Sequence, residues 1–128
     1  MKREKLLKLY KKYGLTQEDV FKHQHYVIIT RSGIEKIEAK ENVIIAYNCI
    51  KSEPNFAVVK ATGVLGDRKM ETFGSAYKGP TFKEGNTNTW YVAEMAEKRA
   101  FSRIVLKLTG FYALGVFGED ESEDFKKQ

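Results

Sequence analysis

Residues 2–13 set Leu6, Leu7, Leu9, Tyr10 and Tyr13 among Lys2, Arg3, Lys5, Lys8, Lys11 and Lys12. Apolar positions at helical spacing with cations between them predict a basic amphipathic helix, stopped by Gly14. Thr16 and Asp19 have the spacing of a short capping box and open a single turn. The run His25-Tyr26-Val27-Ile28-Ile29-Thr30 is β-branched and aromatic, which predicts a strand. Ser32 with Glu35 three places on forms a second capping box, for a helix from Gly33 to about Lys40 that turns Ile34 and Ile37 inward and ends at Asn42.

Three strands are predicted next, at Val43–Lys51, Phe56–Leu65 and Met70–Lys78. Their connections, Ser52-Glu53-Pro54-Asn55 and Gly66-Asp67-Arg68-Lys69, carry turn residues at hairpin length, so the strands form an antiparallel meander. In the middle strand Ala57, Val59, Ala61, Gly63 and Leu65 share one parity and Lys60 and Thr62 the other, giving a packed face and a wetter one. After a polar loop from Lys78 to Asn88, a long helix is predicted from near Thr89 to about Thr109, with Gly110 as its stop. Ala93, Ala96, Ala100, Ile104 and Leu108 form its stripe, widened by Phe101 and Val105, and the small residues of its first half imply a close approach to the sheet. Residues 111–117 are apolar enough to pack back on the core. The expected fold class is α+β: a curved antiparallel sheet of three to four strands packed on one long helix, preceded by a basic helix over residues 1–14. One domain is expected over residues 1–118, with its core at 25–111 and a solvated acidic tail at 119–128.

The 128 residues are 42% apolar and 30% charged, which excludes disordered and fibrous classes. No stretch approaches the roughly 18 apolar residues of a membrane span, and the first residues alternate charge with Leu where a signal peptide has an apolar run. A cytoplasmic protein without membrane contact is the expectation. The single cysteine, Cys49, lies in the apolar run VIIAYNCI and is expected to be buried. The 22 Lys and Arg outnumber the 17 Asp and Glu for a net +5, but residues 119–128 hold five acids and two lysines. The body before them therefore has 20 basic against 12 acidic residues, or +8, and an acidic tail beside a basic body can occupy the surface that a polyanion would use.

Catalytic signatures are few. The chain has no phosphate-loop, nucleophile-elbow or HExxH motif and no paired cysteines. His23 and His25 would share one face of a strand without further ligands to complete a metal site, so neither metal nor cofactor nor enzymatic activity is expected. Glu94 precedes Lys98 by four residues, the favourable order for a helix ion pair. Arg99, Arg103 and Lys107 also recur every four residues and make one ridge, with no acid three or four positions before any of them. Like charges at this spacing repel, so the ridge calls for an anion such as phosphate, unless it is merely a solvated helix face. Lys51, Lys60, Arg68, Lys69 and Lys78 on the hairpins would add backbone contacts. Tyr47, Phe73, Tyr77, Phe82, Trp90 and Tyr91 are candidate stacking platforms, with core packing as the competing role for each.

The order strand, short helix, three-stranded meander and long basic helix, with the text AEMAEKRAFSRIVLKLTGF, resembles the single-strand annealing proteins, a superfamily that includes the eukaryotic Rad-type mediator and phage proteins such as Erf, Sak and RecT. Glu94, Ala96, Lys98, Ala100, Arg103, Leu106, Lys107 and Gly110 echo the family's helix pattern ExAxKxAxxRxLKxxG, and Glu71–Gly79 is similar to its glycine-containing strand. The resemblance covers about residues 25–111. It implies single-stranded DNA held in a groove between hairpin and helix, annealing of complementary strands in phage recombination or replication, and homo-oligomeric rings or filaments. Lys98 and Lys107 match basic positions of the family helix, whereas Arg99 stands where the eukaryotic form has an acid. A non-annealing single-strand binder is one alternative. Another is an adaptor or host-defence inhibitor that docks an acidic protein, with the tail free to recruit partners.

Overall fold

The computed structural model describes residues 2–81 and 84–121. In chain order these form α1 (Lys2–Tyr13), β1 (Val20–His23), β2 (Tyr26–Ile29), α2 (Arg31–Glu41), β3 (Ile44–Glu53), β4 (Phe56–Leu65), β5 (Arg68–Tyr77), α3 (Val92–Leu108) and β6 (Val116–Gly118). The strands make two sheets. β3, β4 and β5 are an antiparallel meander in that order, while β2 pairs with β1 in a hairpin and with β6 in parallel. The class is α+β, with the long helix packed on the meander.

The helix α3 is the centre of the molecule, which is why its buried positions extend round most of its circumference: Val92, Ala96, Arg99, Ala100, Phe101, Ser102, Ile104, Val105, Leu106 and Leu108. Its small-residue stripe faces the meander. The inward parity of β4 is Ala57, Val59, Ala61, Gly63 and Leu65, and the register sets Ala76, Gly74, Thr72, Met70 and Arg68 beside them on β5. At Gly74 a Cβ would collide with the backbone of α3 at Ala96 and Ala100, and at Gly63 it would lie 2.7 Å from Ile104 and Leu108. The other side of α3 receives Ile34 of α2 and β6, where Gly118 leaves room for Ser102 and Ile34. The helix α1 docks through Tyr10 and Tyr13, whose rings lie 6.2 and 5.9 Å from that of Phe111. Tyr13 Oη donates to Glu41 at 2.9 Å, which ties α1 to the end of α2.

Several local expectations change. The helix α2 is capped by Thr30, not Ser32: Thr30 is extended, its hydroxyl accepts from the Gly33 N–H at 3.2 Å, and strand β2 runs straight into the helix. Asn42 ends it in the left-handed conformation, as its position predicts. His23 and His25 do not share a strand face, because Gln24 takes a positive φ of 57° and turns the chain between β1 and β2. The helix α3 begins at Val92 because the hydroxyls of Thr87 and Thr89 accept from the N–H groups of Thr89 and Tyr91, which holds this stretch in successive turns. Cys49 is exposed. It lies on β3, the edge strand that α3 barely overlaps. The packed domain also runs past both expected limits of the core, taking in Tyr13 and Val116.

Replacing Gly74 with Ala should destabilise the protein by more than the about 1–3 kcal/mol of ordinary overpacking, because helix backbone rather than a side chain stands in the way; denaturant midpoints with unchanged slope would measure it. Asp19 generates a pH prediction. The Lys36 ammonium at 2.7 Å and the Thr16 N–H at 2.9 Å hold this carboxyl below its ordinary range. Its contribution is therefore complete above the unfolded value near ~4 and is lost as pH falls through the lower folded value. Asp19→Asn should be less stable at neutral pH and lose less on acidification than the parent. Equal acid slopes in thermal melts would contradict this.

Candidate nucleic-acid interface

The ridge Arg99, Arg103, Lys107 is not an open phosphate track. Arg99 is only 6% exposed, and its guanidinium donates to the carbonyls of Asn86 at 2.5 Å, Ser75 at 2.8 Å and Asp120 at 3.0 Å. Arg103 donates to the Phe73 carbonyl at 2.8 Å and pairs with Glu121 at 2.7 Å. Lys107 donates to Thr72 Oγ1 at 3.3 Å and sits over the Tyr112 ring. The counter-charge of Arg103 and the neutral acceptors of Arg99 and Lys107 come from distant sequence, beyond the three or four residues that pairing along a helix spans. The ridge faces the free edge of β5, where alternate residues turn their peptide groups away from β4. Phe73 and Ser75 are met there by the arginines, and Tyr77 exchanges two hydrogen bonds with Asn86. The positive ridge thus closes a sheet edge that would otherwise be bare.

The start of the acidic tail takes part in the same network. Residues Glu119–Glu121 form a 3₁₀ turn. Asp120 accepts from Ser102 at 2.9 Å and pairs with Arg31 at 3.3 Å, and Glu121 is buried against Arg103. These acids are fixed parts of the fold and not a solvated terminus, because each meets a cation that α2 or α3 presents. The rest of the tail, 122–128, and the candidate platform Phe82 lie outside the described residues.

The groove expected between hairpin and helix is likewise filled, since Gly63 and Gly74 let α3 sit directly on β4 and β5. The opposite face of the meander is the open one. Its central strand presents Phe56, Val58, Lys60, Thr62 and Val64. Beside them β5 presents Lys69, Glu71, Phe73, Ser75 and Tyr77, and β3 presents Ile44, Ala46, Asn48 and Lys51. Phe73 is 49% exposed and Tyr77 36%, and the Tyr77 ring meets Phe56 edge-on with centroids 6.2 Å apart. A shallow recess of about 440 Å³ lined by Glu53, Asn55, Phe56 and Tyr77 lies at this end. Lys51 stands over Phe56, while Lys60 lies 3.5 Å from Glu71. Trp90, 65% exposed, is covered on one face by the Lys78 ammonium at 4.6 Å, and Tyr91 beside it is also exposed.

Of the residues expected to meet nucleic acid, the structure therefore brings Lys51, Lys60, Lys69, Phe73 and Tyr77 onto one exposed face, with Lys78 and Trp90 beyond its Tyr77 end. It turns Arg68 to the helix side, where its guanidinium donates to the Leu108 carbonyl at 2.6 Å and caps α3. Lys98 is exposed on α3, apart from the sheet face. Phe56 and Val58 are surface groups that sequence reasoning misses. Their signal is the middle strand's outward parity, which carries Phe, Val and Val among polar residues. The longest run of exposed cations is elsewhere, on α1, where Lys2, Arg3, Lys5, Lys8, Lys11 and Lys12 all reach solvent. Among the described residues no cluster of three or more His, Cys, Asp and Glu gathers, and no helix is long and apolar enough to cross a membrane.

No family model matches this chain, and neither does any curated protein or solved structure.

Because Arg99 satisfies buried carbonyls, Arg99→Ala should lower stability by several kcal/mol, at about 1–3 kcal/mol for each acceptor left unpaired. Lys98→Ala, at an exposed position, should change it by less than about 0.5 kcal/mol. Chemical denaturation of the two variants compares them directly, and equal stabilities would refute the structural role of Arg99.

Proposed function

We propose that this protein binds single-stranded DNA on the open face of β3, β4 and β5 and promotes annealing of complementary strands. The observation that carries the proposal is a sheet face left uncovered by the fold yet furnished with Phe56, Phe73 and Tyr77 beside Lys51, Lys60 and Lys69. Uncovered aromatic area in water has a cost, and the flat π-face of a nucleobase removes it without demanding a particular base. Lys51 over the Phe56 ring and Lys60 beside Glu71 flank the aromatic groups, so a phosphate backbone crossing this face would meet both cations. Glu71 and Glu53 keep this face only weakly basic, so stacking carries more of the affinity here than charge does. The cations of α1 add a long-range attraction for a polyanion.

The resemblance to the single-strand annealing proteins supports the same function through the order of the meander and the long helix, but the surface differs from the one it implies. Bases stacked by one face on the rings keep their pairing edges free of protein, while the lysines reduce repulsion between two incoming backbones. Annealing is downhill, so no energy source or chemical step is required.

Binding of a labelled oligonucleotide, followed by anisotropy, tests the interface. Phe73→Ala and Tyr77→Ala should each lose about 1–3 kcal/mol for every base sequence, with thermal melting unchanged because both rings are exposed. Lys60→Gln with Lys69→Gln should flatten the log–log salt dependence by about 0.7 for each phosphate that is no longer neutralised. A folded Phe73→Ala/Tyr77→Ala variant that binds and anneals like the parent would remove this face from the function.

A further inference from the structure

The two edges of the meander are treated differently. The β5 edge is closed by Arg99, Arg103 and Asn86. Among the described residues no strand lies beside the β3 edge, and from Ile44 to Ile50 it carries no charged residue. Two of its side chains are among the most exposed apolar groups described, Ile44 at 70% and Ile50 at 53%. Long, uncharged, exposed edges are what soluble proteins ordinarily blunt with lysine, proline, a bulge or a covering element; here the one slip in register falls between Cys49 and Lys51, at the end of the run, and Ile44–Cys49 is regular.

We propose that β3 pairs with β3 of a second copy of this chain, antiparallel about a two-fold axis at Tyr47, to form a continuous six-stranded sheet. The register follows from the hydrogen-bonding alternation. Phe73, Ser75 and Tyr77 direct their peptide groups away from β4, so their partners Lys60, Val58 and Phe56 direct theirs toward β3. On β3 the residues that bond β4 therefore include Ala46 and Asn48, and those left facing the open edge are Ile45, Tyr47 and Cys49. Only a two-fold at Tyr47 matches these three with one another: Tyr47 with Tyr47 of the second copy, and Ile45 with Cys49. The pairing of β3 with β4 slips between Cys49 and Lys51, so the regular part of the seam is Ile44–Cys49, and the two exposed isoleucines, Ile44 and Ile50, flank it at its two ends.

The occupant is a second copy because the strand is complementary to itself in this register, and because the uncharged seam imposes no local repulsion between two chains of net +5. Assembly stops at two. A head-to-tail chain would have to join β3 of one copy to β5 of the next, and the guanidinium groups already occupy that edge. The dimer would place two copies of the aromatic face side by side, about 25 Å across at ordinary strand spacing.

The test contains no nucleic acid, so its failure leaves the DNA-binding proposal standing and the reverse also holds. Sedimentation equilibrium of the full chain should give twice 14.7 kDa at micromolar concentration. Ile44→Lys with Ile50→Lys should weaken self-association at least tenfold while circular dichroism and thermal melting of the protomer stay unchanged, both positions being exposed. A Tyr47→Cys variant in a Cys49→Ser background, oxidised with diamide, should form a covalent dimer through the axial pair, since hydrogen-bonded antiparallel partners are about 5.5 Å apart at Cα. A monomer at 100 µM, or a dimer indifferent to the two lysines, overturns the proposal. A dimer that the lysines abolish but that yields no disulfide at position 47 overturns the two-fold register.

Discussion

The contact between Gly74 and the backbone of α3 at Ala96 and Ala100 is the constraint on which the rest of this structure depends. A helix that touches a strand backbone to backbone brings its flanking side chains within reach of the strand's own peptide groups. Arg99 and Arg103 then end at the carbonyls of Ser75 and Phe73. A side chain at position 74 would lift the helix, and the guanidinium groups would lose the distances that make them hydrogen-bond donors to that edge.

This arrangement engages three of the body's arginines within the fold. Arg31, Arg99 and Arg103 are engaged by the turn at residues 119–121, by Ser75 and Phe73 carbonyls, or by both. Guanidinium suits the task because its planar fork meets several carbonyls at once and remains charged when buried. The cations left in water are mainly those of α1 and the lysines of the outer sheet face. A formal net charge therefore overstates what a polyanion would meet on α3 and understates how local the accessible charge is.

Packing on one side also decides what is left on the other. Among the described residues one helix, α3, covers the meander, on the inward face of β4 and β5. Its outward face and the β3 edge remain open, and both carry apolar groups. Such features are costly in water unless something flat or strand-like meets them. Stacked bases satisfy the first and a paired strand the second, so the two proposals draw on complementary parts of a single uncovered sheet.

Local chemistry in the sequence was sufficient for the meander, its two hairpins, the small-residue stripe of α3, the basic helix α1 and the stop at Asn42, because strand alternation, turn residues and helical spacing act within a few residues. It also contained the aromatic and lysine set of the outer face, since Lys60, Lys69 and Tyr77 stand at positions of one parity once the register is known. What only the tertiary structure decided were the features that join residues far apart: the parallel pairing of Val116–Gly118 with β2, the capture of Asp120 and Glu121 by cations of α2 and α3, and the exposure of Cys49. The ridge shows the reason most directly. Three cations without a local acid look the same in sequence whether they await a phosphate or reach across to a strand edge, and the distance between helix and sheet, set at Gly74, distinguishes the two.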